Sequence, residues 1–129
     1  MTYLFDNNIS PRLARMLREL SVDARALREE FPQGVKDPEF LPRLKGTGWV
    51  FMTADTRITT RPVEAAALKE SGVTALFLGP FWAKLTLWKQ AAWLVGRWEE
   101  IDRFGSGAPR GTCAVLRQRG APRPMTIDT

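Results

Sequence analysis

Tyr3-Leu4-Phe5-Asp6-Asn7-Asn8-Ile9-Ser10-Pro11-Arg12-Leu13 is the stretch that decides the fold. Three apolar residues in a row, cut off by a polar cluster, have the pattern of a short buried strand that runs out into a loop. Ser10-Pro11 then supplies a helix cap and a proline at the first helical position, where its missing N–H costs nothing. Leu13, Met16, Leu17 and Leu20 fall on one helical face, and Arg12, Arg15, Arg18 and Glu19 on the other. Strand, loop and amphipathic helix in that order form the opening unit of an α/β fold.

The same order recurs downstream. Residues 22–27 alternate apolar and polar and predict a second strand, and Pro32 and Gly34 mark a loop over 31–36. Asp37-Pro38 repeats the cap-then-proline pattern and opens a short helix through Phe40, Leu41 and Leu44, limited by Pro42. Trp49-Val50-Phe51-Met52 is a continuous apolar run of the kind buried on both faces, and it ends at Thr53-Ala54-Asp55. Residues 62–70 predict a helix and 73–78 another buried strand. Residues 84–102 predict the longest helix, with a core stripe of Leu87, Ala91, Leu94, Trp98 and Ile101, broadened by Trp88, Ala92 and Val95. Trp93 lies well off this stripe and is expected to be exposed, or covered by something other than the helix's own core.

Gly105, Gly107 and Pro109 are expected to break the chain, residues 112–116 to add a last, antiparallel strand, and 117–129 to form a loose Arg/Pro-rich tail. The alternation predicts an α/β fold with a mostly parallel central sheet and helices on both faces. With no internal repeat or linker, residues 1–129 are expected to form one domain.

Composition narrows the chemistry. There is no histidine and a single cysteine, Cys113. Serine and cysteine relays that need an imidazole are excluded, as are His- and Cys-rich zinc sites. A hydrolase built from this chain is left with carboxylates and a bound metal. The lone cysteine, the lack of a long uncharged apolar run and the N-terminus without a signal peptide predict a reducing, cytoplasmic home away from membranes. A net charge of +5 favours an anionic partner such as nucleic acid.

Ligands of open α/β sheets bind beyond the carboxyl ends of the strands. Asp6 and Asp55 each follow an apolar strand at that edge, and Asp37 opens the helix between them. Converging carboxylates repel unless a cation neutralises them, and an oxygen-only site suits Mg²⁺ or Mn²⁺. Each residue also has an ordinary structural reading. Asp6 and Asp55 fit as turn residues. On spacing alone Asp37 is better read as a helix N-cap than as a ligand, and the arginines of the first helix as a solvated face. Glu39 reads as solvated.

The run from Leu4 to Ala14 resembles the opening of a PIN-like family, in which a strand is followed by Asp-Glu-Asn-x-Ser-Pro and a helix. Asp37-Pro38-Glu39-Phe40-Leu41 is similar to that family's Asp-Glu-Glu-(Trp/Ile)-Leu segment, and Val50-Phe51-Met52-Thr53-Ala54-Asp55-Thr56-Arg57-Ile58 to its strand ending in (Ser/Thr)-x-Asp-x-x-Ile. The stretch 62–80 and the Trp-rich helix after it fit as well, so the resemblance covers roughly residues 3–104.

It implies a PIN-like three-layer α/β/α sandwich and a VapC-like toxin of a toxin–antitoxin pair: an Mg²⁺- or Mn²⁺-dependent ribonuclease held inactive by a cognate antitoxin. Asp6, Asp37 and Asp55 would be the catalytic metal ligands, with Asn8 and Thr53 as polar supports. The resemblance thus favours a ligand role for Asp37. Arg12, Arg15, Arg57 and Arg61 are candidate RNA phosphate contacts near the expected site.

Two departures stand out: Asn7 replaces the family's usual Glu, and a fourth acidic residue has no match. They motivate an alternative, a catalytically weak binding module acting through a protein partner or a homodimer, with Phe81, Trp82 and Trp93 as its patch. Phosphotransfer through an aspartyl nucleophile fits less well. Asp6-Asn7-Asn8 lacks a second aspartate two positions on, and Lys69 lies within a predicted helix.

Overall fold

The computed structural model describes residues 1–127. Strand β1 (Thr2–Phe5) leads into helix α1 (Pro11–Glu19) and strand β2 (Asp23–Ala26), with the short helices α2 (Leu27–Glu30) and α3 (Asp37–Phe40) behind it. A 3-10 turn, Leu41–Leu44, precedes β3 (Val50–Thr53), and a second, Thr56–Thr59, precedes α4 (Pro62–Ser71) and β4 (Thr74–Leu78). A third 3-10 turn, Trp82–Lys84, leads to the long helix α5 (Leu87–Gly107), then β5 (Cys113–Leu116) and β6 (Arg123–Met125).

The six strands form one sheet in the order β2-β1-β3-β4-β5-β6. All neighbouring pairs are parallel except β5 with β6. Alternation along the strands sorts the core into two layers. Tyr3, Phe5, Val50, Met52, Leu76 and Leu78 face α1 and α5, where they meet Leu13, Leu17, Leu94, Trp98 and Ile101. Leu4, Phe51, Ala75 and Phe77 face the other way, onto Leu27, Phe40, Leu41, Leu44 and Leu68. The result is the expected α/β/α sandwich with a mostly parallel central sheet.

The C-terminal third departs from the sequence reading. β5 pairs in parallel with β4, not antiparallel, because α5 carries the chain back to the start of the sheet before β5 begins. The antiparallel strand is β6, which occupies part of the stretch expected to be loose and sets Pro124 opposite Ala114. A proline has no ladder donor, so it belongs on an edge strand such as this one. Met125 and Ile127 pack against the core layer of Leu4 and Phe51. Residues 128 and 129, the end of that expected tail, lie outside the described residues.

Helix α5 starts later and ends later than expected. Thr86 caps it, accepting a hydrogen bond from Lys89 N at 3.3 Å. It continues through Gly105, where a Cβ would lie 3.0 Å from the Tyr3 hydroxyl. That glycine makes room for Tyr3 and does not stop the helix.

The stripe from Leu87 to Ile101 faces the core, but Trp88, Ala92 and Val95 do not broaden it: all three are exposed, Trp88 at 84%. Among the described residues no element covers that side of α5, and hydrophobicity alone could not show this. Trp93 is covered, as its position allowed, by Phe81 and Trp82 at ring distances of 4.9 and 6.1 Å, and its Nε1 donates to Gln118 O. These three rings pack on one another; Trp82 is buried, and Phe81 and Trp93 are half-buried.

Candidate functional site

The parallel register places the carboxyl ends of β1 and β3 side by side. Phe5 pairs with Met52, and Asp6 N donates to Met52 O at 2.9 Å, so the residue after β1 lies level with Thr53 at the end of β3. Asp6 is only 7% exposed. Its Oδ2 accepts from Thr53 Oγ1 at 2.7 Å and from Asn8 Nδ2 at 3.3 Å, and its Oδ1 from Asn7 N at 2.8 Å. Burial pushes its pKa up, and these three hydrogen bonds, which favour the charged form, only partly offset the rise.

Thr53 is the hub of this corner. Fully buried, its hydroxyl donates to Asp6 and accepts from Asn8 Nδ2 at 3.1 Å and Asp55 N at 3.0 Å. Asn8 reaches across as well, accepting from Ala54 N at 2.8 Å. Asn8 and Thr53, expected as polar supports around Asp6 and Asp55, both hydrogen-bond to Asp6, and Thr53 also accepts from the backbone N–H of Asp55.

Asp55 is held differently. It caps the 3-10 turn after β3, its Oδ1 accepting from Arg57 N at 3.0 Å and Arg57 Nε at 3.3 Å, while its Oδ2 pairs with Arg61. Burial raises its pKa, but the hydrogen bonds from Arg61 and Arg57 outweigh this and hold the carboxyl below its ordinary range.

Asp37 does not cap α3; Lys36 occupies the cap position and Asp37 is the first helical residue, ahead of Pro38. Its carboxylate is thereby free of a capping role. Its pKa is pushed up to about 6, first by burial and then by the charges of Asp6 and Asp55. Arg61 pulls the other way, and Glu64 adds a further push.

The three aspartates thus share one electrostatic neighbourhood at the carboxyl edge of the sheet. Among the described residues, however, no three acidic or thiol side chains are grouped closely enough to hold one ion as they stand. An open cleft of about 400 Å³ lies beside Asp55, lined by Asn8, Ala54, Thr56 and Arg57.

Arg57 and Arg61, expected as phosphate contacts, are both on Asp55, although the Arg57 side chain remains 81% exposed. Arg15 lies near Glu29, whose pKa its charge helps to lower behind the larger effect of Arg18. Arg12 lines a shallow groove with Leu13, Met16, Leu87, Trp88 and Ala91. Sequence reasoning missed Glu64. It lies in the first turn of α4, 3.7 Å from Arg61, and its charge reaches Asp37. The available signal was its spacing, three residues after Arg61 at a helix start.

The PIN like domain family model matches residues 1–80, which carry β1 to β4 and all three aspartates. The chain belongs to the PIN-like family. Neither a curated protein nor a solved structure matches it. A PIN-like domain has a nuclease-type fold, and such domains commonly use divalent metals. Here the donor type suits that chemistry: the side chains are carboxylates, and the charges of Asp6 and Asp55 add to burial in raising the Asp37 pKa. Among the described residues of this PIN-like chain, no helix is long and apolar enough to cross a membrane.

Proposed function

We propose that this PIN-like domain is an Mg²⁺- or Mn²⁺-dependent endoribonuclease and the toxin of a VapC-like toxin–antitoxin pair. The observation that carries the reading is the alignment of Asp6 and Asp55 after the adjacent strands β1 and β3 of a PIN-like fold, where burial and their charges push the Asp37 pKa up to about 6. Such a perturbation at a strand-end edge is typical of a functional site. Asp6, Asp37 and Asp55 would hold the cation, which when bound neutralises phosphate charge and makes a coordinated water more acidic.

The chain's own residues do the rest. Thr53 and Asn8 hold Oδ2 of the Asp6 carboxylate, and the backbone N–H of Asn7 holds Oδ1, so both oxygens stay oriented. Arg57, Arg12 and Arg15 offer positive charge to an RNA backbone, and Arg61 does so once it leaves Asp55. With no histidine in the chain, proton transfer falls to water and the carboxylates. The reading includes a cognate antitoxin protein as partner, allows a homodimer, and suits the cytoplasm, where the buried thiol of Cys113 stays reduced.

The test is cleavage of a labelled mixed-sequence RNA with Mn²⁺, with EDTA, and with the Asp6→Asn variant. Cleavage that requires both the metal and Asp6 is the expected result. A well-folded wild type that leaves the RNA intact would favour a second reading, a PIN-like binding module with weak or no catalysis. Asn7 in place of the usual Glu and the engagement of Asp55 by Arg61 are the observations on its side.

A further inference from the structure

Arg61 stands directly before Pro62 at the start of α4 and has two carboxylates within reach. Its Nη2 pairs with Asp55 Oδ2, and its Nη1 lies 3.7 Å from Glu64 Oε1. Glu64 is three residues further on, so helix geometry keeps it beside Arg61 whatever Asp55 does. Both oxygens of Asp55 are already occupied, Oδ1 by Arg57 and Oδ2 by Arg61. Asp6, on the neighbouring strand, is held only by neutral donors. The carboxylate at the end of β3 is thus neutralised from within the chain, and the one at the end of β1 is not.

We propose that Arg61 is the resident counter-ion of Asp55, which a divalent cation must displace onto Glu64, so that Arg61 sets the cation affinity of the site. The inference rests on reading Asp6, Asp37 and Asp55 as cation ligands. A divalent cation and the Arg61 guanidinium repel each other at the same Asp55 carboxylate, so the two compete for it. A guanidinium stays charged throughout the accessible pH range, so it leaves by moving and not by losing a proton. Glu64 supplies the second position. The Arg61 side chain is 40% exposed, so the move needs no repacking of the core.

The experiment is calorimetric titration of Mn²⁺ alone into the full chain at fixed ionic strength. Wild type is compared with Arg61→Gln, Glu64→Gln, the double variant and Asp6→Asn. Arg61→Gln is expected to bind Mn²⁺ about tenfold or more tightly than wild type. Glu64→Gln is expected to bind several-fold more weakly than wild type, yet to change nothing once Arg61 is already Gln, because no guanidinium remains to be received.

Unchanged or weakened binding by Arg61→Gln overturns the inference. So does an equal loss from Glu64→Gln in both backgrounds, which would make Glu64 a ligand or a simple source of field. If Arg61→Gln does not fold, Arg61→Lys replaces it: the ammonium loses the fork, and tighter binding than wild type is again expected, with equal or weaker binding overturning the inference. Abolished binding in Asp6→Asn with no gain in Arg61→Gln defeats the role of Arg61 alone. Absence of Mn²⁺ binding in every variant, or binding by Asp6→Asn equal to wild type, defeats the ligand reading itself.

Discussion

The ends of β1 and β3 look alike in sequence and behave in opposite ways. Each is an apolar strand that delivers an aspartate to the same edge of the sheet. Asp6 is sunk among neutral donors and its pKa rises; Asp55 is more exposed, gripped by two arginines, and its pKa falls. Between them, Asp37 meets the charge of both and titrates near 6. The lesson is that strand topology places the carboxylates, while the donors around each decide its charge state. Asp6 is set by residues of its own turn and the adjacent strand end, which the register brings together. Asp55 is set by side chains of the following turn and of the residue before α4.

The largest expected effect tests the neutral side. Asp6→Asn should lower RNA cleavage more than about 100-fold, beyond what removal of an outer hydrogen-bonding partner does. An assay at equal Mn²⁺ concentration decides, and retained activity would remove Asp6 from the site.

Thr53→Val attacks the link between the two strand ends. It deletes the donor to Asp6 Oδ2 and the acceptor for Asp55 N while keeping the shape. A loss of about 1–3 kcal/mol in urea unfolding is expected, because buried polar partners are left unsatisfied. A neutral result would show that the hub is dispensable.

Asp37→Asn should act in the other direction and stabilise the metal-free protein. Folding raises the Asp37 pKa from 3.8 to about 6, so the native state holds that proton more tightly than the unfolded chain. The resulting stability is fully present below about pH 4 and lost as pH rises through 6. At pH 8 the wild type carries the whole cost of the buried charge. At about 1.4 kcal/mol per pKa unit, and with partial exposure discounted, the variant should gain about 1–2 kcal/mol there. The gain should shrink as pH falls from 6 to 4. A variant less stable than wild type at pH 8 would contradict the crowding of the three charges.

Arg57→Ala defines the smallest effect. An ion pair with one side chain 81% exposed contributes little, so stability should change by no more than about 0.5 kcal/mol. A loss well above that would mean that Arg57 organises the turn after β3.

Much of the scaffold was legible because local patterns and tertiary structure agree. The apolar runs at 3–5 and 49–52, Ser10-Pro11 and the Leu87-to-Ile101 stripe each point to one element, and each is present. What was not legible depends on partners distant in sequence. Trp88 and Trp93 are the same residue type on one helix, yet one is bare and the other lies under Phe81 and Trp82. Arg123-Pro124-Met125 has no strand signature, and only the presence of β5 makes it one. At the site, the positions of Asp6 and Asp55 followed from strand ends. The grip of Arg61 on Asp55 depends on how α4 enters, which no local pattern specifies, whereas Glu64 beside Arg61 follows from helix spacing.

The edges of the sheet also constrain how the molecule can meet another protein. At one end β6 carries Pro124, which has no N–H to offer. At the other, β2 carries the ion pair of Asp23 and Arg25, and its next residues turn at once into α2. Charges and prolines on edge strands are the usual obstacles to an incoming strand. Recognition by backbone pairing is therefore disfavoured at Pro124 and at the Asp23–Arg25 pair, which leaves side chains, on helical faces or at the acidic edge itself, as the readier means of contact.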